Sequence, residues 1–142
     1  MSQIVFDKVI GLDGIQDVAK KLDGIINKQN QVVLLQGDLA SGKTTFVQQY
    51  LKLKKIETKA TSPTFSLQNI YDDFVYHYDM YNSSFEKFVA MGLFNELEKI
   101  GLHFVEWGDE KFESMLKLYG FDSLKIEIKK HQNKRRYIIC IN

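Results

Sequence analysis

Residues 31–54, QVVLLQGDLASGKTTFVQQYLKLK, decide the fold. Val32, Val33, Leu34 and Leu35 form a short apolar run of the length a buried strand needs. Gly37, Asp38, Leu39, Ala40, Ser41, Gly42, Lys43 and Thr44 then fit G-x-x-x-x-G-K-[ST], a loop that wraps phosphate groups. Phe46, Val47, Tyr50 and Leu51 follow at helical spacing, so strand, loop and helix come in the order this loop requires. A chain of this length matches the octet by chance roughly once in two hundred proteins, and the flanks make chance rarer.

The chemistry explains the residue types. Gly37 and Gly42 permit backbone angles that turn successive N–H groups onto one anion. The helix opening near Lys43 adds free N–H groups and the positive end of its dipole. Lys43 supplies an ammonium for the outer phosphates, and Thr44 a hydroxyl for Mg²⁺. Thr45 continues the nucleotide-binding stretch.

Composition bounds the rest. The chain has 142 residues, which suits one domain over 1–142. The net charge of +1 offers no global field for nucleic acid. No 18-residue apolar run exists, so no membrane span is expected. Residues 1–11 lack the basic flank and apolar run of a signal peptide, and the single Cys140 cannot form an internal disulfide. A reducing cytoplasm is the expected location.

Outward from the loop, residues 3–6 suit a strand. Leu12, Ile15, Val18, Ala19, Leu22, Ile25 and Ile26 form a helical stripe that Asp13 and Gln16 would cap. Lys52, Lys54, Lys55 and Lys59 fit a solvated helix end better than an RNA patch. Thr61, Ser62, Pro63, Thr64 and Phe65 set hydroxyls around the only proline, a pattern suited to a switch that senses the γ-phosphate. A strand over 66–71 and the run FVYHYDM over 74–80 follow, with Asp79 near the end of the run. Asp79 fits a water-orienting carboxylate or an outer partner of Mg²⁺, and equally a cap or turn residue. Ser83 and Glu86 suggest another capping box. Residues 102–105 form a second apolar strand that delivers Glu106 and Trp107, as a second Mg²⁺ element would, although that element usually carries Asp. Residues 109–118 read as a helix. Residues 124–141 read as an antiparallel hairpin.

No N-K-x-D guanine-reading element follows the loop, so ATP is the expected nucleotide, with Mg²⁺. Arg135 and Arg136 are the only arginines, far from the loop in sequence, which leaves no obvious finger in cis. A switch with slow hydrolysis fits better than a small-molecule kinase. A non-catalytic, ATP-sensing adaptor is the rival.

GDLASGKTTF, TSPTF, HYDMY and VEW occur in that order over nearly the whole chain. Together they resemble TsaE, the small ATPase family of bacterial tRNA threonylcarbamoyladenosine (t6A37) synthesis. The resemblance implies an α/β, P-loop NTPase-like three-layer fold with a mixed, mainly parallel sheet and a C-terminal antiparallel hairpin. It implies ATP and Mg²⁺, and a role beside TsaD and TsaB, the pair that attaches the threonylcarbamoyl group to adenosine. TsaE would reset that pair without transferring the group, act as a monomer when isolated, and meet tRNA only indirectly. By motif, Lys43 would hold phosphates, Thr44 and Glu106 would bind Mg²⁺, and Asp79 would be the catalytic carboxylate. Trp107 would lie at the nucleotide or partner surface, and Thr64 would be the switch hydroxyl. Two departures stand out: Ala40-Ser41 where the family commonly has Gly-Ala, and Asn82 where it commonly has Arg.

Overall fold

The computed structural model describes residues 3–63 and 67–141. Thr64 and Phe65 of the expected switch lie outside them. One seven-stranded sheet runs through the molecule. Its strands are β1 (Gln3–Ile10), β2 (Asn30–Gln36), β3 (Gln68–Tyr71), β4 (Val75–Asp79), β5 (Gly101–Glu106), β6 (Ser123–His131) and β7 (Lys134–Ile141), in spatial order β1-β7-β6-β2-β5-β4-β3. The middle of the sheet is parallel: β2 pairs with β5 and β6, and β4 with β5. The pairings towards both edges are antiparallel, including the expected C-terminal hairpin of β6 and β7.

β2 is central because its side chains are apolar on both faces, as a parallel strand covered on both sides requires. Val33 and Leu35 enter one core, and Val32 and Leu34 the other. Full burial of each contributes about 1.5–3 kcal/mol. Over the first face lie α1 (Ile15–Ile25) and α2 (Lys43–Leu53). Ile15, Val18, Ala19 and Leu22 point inward from α1, and Phe46, Val47, Tyr50 and Leu51 from α2. Phe46 and Tyr50 set ring edges against Phe104 of β5. Over the second face lie α3 (Phe85–Ala90), α4 (Leu93–Glu96) and α5 (Glu110–Leu118), with Phe85, Phe88 and Phe112 edge to face in their core. These are the three layers.

Several local expectations shift. The first strand extends to Ile10, past the expected residue 6. Leu12 lies in a short 3₁₀ turn, Leu12–Gly14, and is exposed. That turn takes up Asp13, the expected cap residue. Gly14 becomes the N-cap of α1 without a side-chain bond, and the amide of Gln16 donates instead to the carbonyl and side chain of Gln49 on α2. Ser84, one residue beyond the expected Ser83, caps α3 by accepting from the Lys87 N–H at 3.1 Å. Asp109 caps α5 by accepting from Phe112 N–H at 2.8 Å. Among the described residues, no helix is long and apolar enough to cross a membrane.

Candidate nucleotide-binding site

The site lies beyond the carboxyl ends of β2, β4 and β5, where an open α/β sheet presents its loops. The chain leaves β2 at Gln36 and turns through 37–42 into α2. Gly42 has φ +109°, a left-handed conformation that side chains disfavour. Gly37 is needed for space: a Cβ there would fall 2.4 Å from Ser41 Oγ and 2.6 Å from the Ile128 carbonyl oxygen. The loop thus folds tightly upon itself and against β6.

A cavity of about 630 Å³ opens in front of this loop. Of the residues expected to bind nucleotide, Leu39, Ala40, Ser41, Gly42, Lys43, Thr44, Thr45 and Trp107 line it. So do Ser62, Asp79 and Glu106, which come from elsewhere in the chain, together with Tyr81 and Asn82. Gly37 and Asp38 do not reach it, and line a second cavity behind the loop with Lys129 and Lys130. Their carbonyls instead accept hydrogen bonds from Lys43 Nζ, at 2.7 and 3.0 Å. The same ammonium lies 4.2 Å from the centre of the Trp107 ring, a favourable cation–π distance. Burial pulls the Lys43 pKa below the ordinary lysine value, against the opposing charges of Glu106, Asp38 and Asp79. Trp107 has φ +63°, and its ring also packs against Tyr81, 4.9 Å between centres.

The two carboxylates are neighbours because β4 and β5 are in parallel register, with Asp79 opposite Glu106. Both are buried. Thr44 Oγ1 donates to Glu106 Oε2 at 3.2 Å, which joins the first turn of α2 to the end of β5. Asp79 accepts from Ser62 Oγ at 3.2 Å and from the Tyr81 N–H at 2.9 Å. A carboxylate and a hydroxyl in contact are the hard oxygen donors that Mg²⁺ takes, with phosphate oxygens and water completing its six ligands. The loop, its helix end and Lys43 fit the phosphates. The residues present therefore fit a nucleotide with Mg²⁺.

A family model described as "Threonylcarbamoyl adenosine biosynthesis protein TsaE" matches residues 11–138. The chain belongs to the TsaE family. A Treponema pallidum relative named tRNA threonylcarbamoyladenosine biosynthesis protein TsaE is 36% identical over 99 residues, 66% of this chain and 73% of its own length. A Rickettsia typhi relative of the same name is 41% identical over 87 residues, 58% of this chain and 60% of its own length. Against several rickettsial relatives the match thus spans half to three fifths of their length. The crystal structure of Bacillus subtilis YdiB shares the fold, with a TM-score of 0.70 at 24% identity over 99% of this chain and 87% of that one.

Three residues escape the sequence reading of this TsaE-family chain. His77, which carries no role of its own in that reading, bonds Glu106 through Nε2. Its position two residues before Asp79 on a strand was the available signal, since alternate residues share a face. Tyr71 sits behind His77, its hydroxyl 3.5 Å from Nδ1. Arg135, distant in sequence, is close in space: its Nε donates to the Ser41 carbonyl at 3.0 Å and braces the loop from the side of β7. It does not line the main cavity. Arg136 makes a two-pronged pair with Asp7 on β1.

Ala40 carries the loop's departure from the family pattern. It has φ +59°, in the left-handed region, where a residue with a Cβ costs roughly 1–2 kcal/mol. Ala40→Gly removes that strain and returns about 0.4–1 kcal/mol through the freer unfolded chain. The expected net gain is about 0.5–1 kcal/mol, or roughly 1–4 °C in Tm for a chain of this size. Thermal unfolding followed by circular dichroism measures it. A lower Tm would mean that the Ala40 methyl stabilises the loop more than its backbone strains it.

Proposed function

We propose that this protein binds and hydrolyses ATP with Mg²⁺ in the service of tRNA threonylcarbamoyladenosine synthesis. The observation that carries the reading is the convergence of Lys43, Thr44, Asp79 and Glu106 on one cavity in front of the phosphate loop. Family membership and the names of the relatives supply the pathway.

In this reading the loop N–H groups and the start of α2 cradle the phosphates. Lys43 leaves the Gly37 and Asp38 carbonyls for phosphate oxygens. Thr44 and Glu106 would hold Mg²⁺, which would supply positive charge to offset the negative charge that develops on the phosphates. Asp79 orients the attacking water and accepts its proton, while Ser62 and the Tyr81 N–H fix the carboxylate. A neighbouring cavity of about 200 Å³ shares Ala40, Ser41, Gly42 and Thr45 with the first and adds an apolar side from Ile10, Leu12, Ile15 and Tyr137 and a polar side from Asn133, Lys134 and Arg135. The apolar side suits the nucleoside end.

No arginine lines the main cavity among the described residues. The transition state therefore lacks a strong cation besides Lys43 and Mg²⁺. We propose that the partners are the TsaD–TsaB pair and that they complete the site, either by supplying a charge or by ordering the segment around Thr61. Slow turnover is expected from the isolated chain. At least about tenfold stimulation by the pair is expected, equal to roughly 1.4 kcal/mol of barrier. Steady-state phosphate release with and without the pair measures this. A chain already at its maximal rate alone, and unchanged by the pair, would sink partner activation.

A further inference from the structure

Among the described residues, Glu106 is held by two donors, and both act on the same oxygen. Thr44 Oγ1 and His77 Nε2 meet Oε2, and none of the described residues bonds Oε1. His77 is fully buried, without contact to solvent. A carboxylate only accepts, so Nε2 carries a proton and Nδ1 is free to accept. The group facing Nδ1 is the Tyr71 hydroxyl. That hydroxyl is itself pinned: it accepts from the Thr61 N–H and donates to the Thr61 carbonyl, both at 3.1 Å, so its 3.5 Å approach to Nδ1 is the longer, secondary contact. Asn69 Nδ2 donates to the same carbonyl at 3.0 Å and to Thr61 Oγ1 at 3.1 Å. An unbroken chain of contacts thus runs from Thr61 through Tyr71 and His77 to Glu106. The next residue, Ser62, reaches Asp79 directly.

A buried imidazole on a carboxylate, steadied by a hydroxyl on its far side, is the arrangement that orients ligands around metal ions. We propose that His77 is a positioning residue, steadied by Tyr71 and anchored on Thr61, that aims Glu106 Oε1 at the Mg²⁺ of the bound nucleotide. This rests on the reading of Glu106 as an Mg²⁺ ligand. One structural consequence follows. The segment around Thr61, whose Ser62 lines the cavity, and the carboxylate of Glu106 share one network, so ordering either one favours the other.

The test is calorimetry of ADP binding across a Mg²⁺ titration, which needs no turnover. His77→Leu should raise the Mg²⁺ concentration for half-maximal enhancement by about tenfold or more. Tyr71→Phe, which spares the His77–Glu106 bond, should raise it by about threefold. His77→Gln offers Glu106 an amide donor from nearly the same place and should recover most of the loss. In all three, the affinity for ADP without Mg²⁺ should stay within about twofold of the wild type. Unchanged Mg²⁺ dependence in both His77→Leu and Tyr71→Phe would overturn the proposal. So would a fall of the Mg²⁺-free affinity in step with the Mg²⁺-bound one, which marks mere packing. A wild-type chain whose ADP affinity ignores Mg²⁺ would fail one level earlier, at the reading of Glu106 itself.

Discussion

Lys43→Ala is expected to abolish measurable binding of ATP·Mg²⁺. Lys43 is 5% exposed, and its ammonium is held 2.7 and 3.0 Å from two carbonyls of its own loop. It is the cation that the loop aims into the cavity. Removing one partner of a desolvated charge pair costs about 2–5 kcal/mol, or roughly 30- to several-thousand-fold in affinity. The fold should survive. Burial already disfavours the charged form of Lys43, so the loss of its bonds to Gly37 and Asp38 is offset by the loss of a buried charge. Calorimetry with ATP·Mg²⁺, beside a melting curve for each protein, separates the two effects. Wild-type affinity in a folded Lys43→Ala protein would remove the foundation of the nucleotide reading.

Asp79→Asn should lower turnover by about 10²- to 10⁴-fold, the usual worth of a positioned acid–base group. The substitution keeps shape and most bonding. An Asn carbonyl still accepts from the Tyr81 N–H, and its amide faces the Ser62 hydroxyl that now bonds the carboxylate. Lys43, Thr44 and Glu106 are untouched, so nucleotide affinity should change by no more than about threefold. Single-turnover phosphate release with saturating ATP is the measurement. Undiminished turnover would mean that Asp79 does not activate water. That outcome favours an adaptor that binds ATP and hydrolyses it only incidentally.

The sequence made the phosphate loop legible because the loop is local. Strand, octet and helix are contiguous, and every side chain they need lies within 24 residues. Asp79 and Glu106 were legible as strand ends. Their contact was not, because it follows from the β4–β5 register, and register depends on packing across the whole sheet. The closeness of Arg135 to the loop was not legible for the same reason: the β6–β7 hairpin returns it to Ser41 across 94 residues. His77 was missed for a different cause. No local spacing motif marks it, because its partner is the carboxylate on the next strand. The capping boxes at Asp13 and Ser83 failed because competing local bonds were stronger. The 3₁₀ turn ends at Gly14, and the Ser83 N–H is engaged by the Met80 carbonyl at 3.2 Å.

The sheet order also bears on how the molecule is made. β2 carries the phosphate loop, yet its two neighbours come late in the chain: Asn30 pairs with Gly101, and Val32 with Ser123. Closing such long loops is paid in entropy before any pairing compensates it, so contacts of this kind slow folding. On the ribosome, the octet emerges 57 residues before β5 begins and 79 before β6 begins, the strands that flank β2. Through that interval an apolar β2 has no partner on either side, the condition in which emerging chains are most prone to misassociate. The proposed site cannot be complete before Glu106 arrives with β5. The site is therefore one of the last features to form during synthesis, although its signature is among the first to be translated.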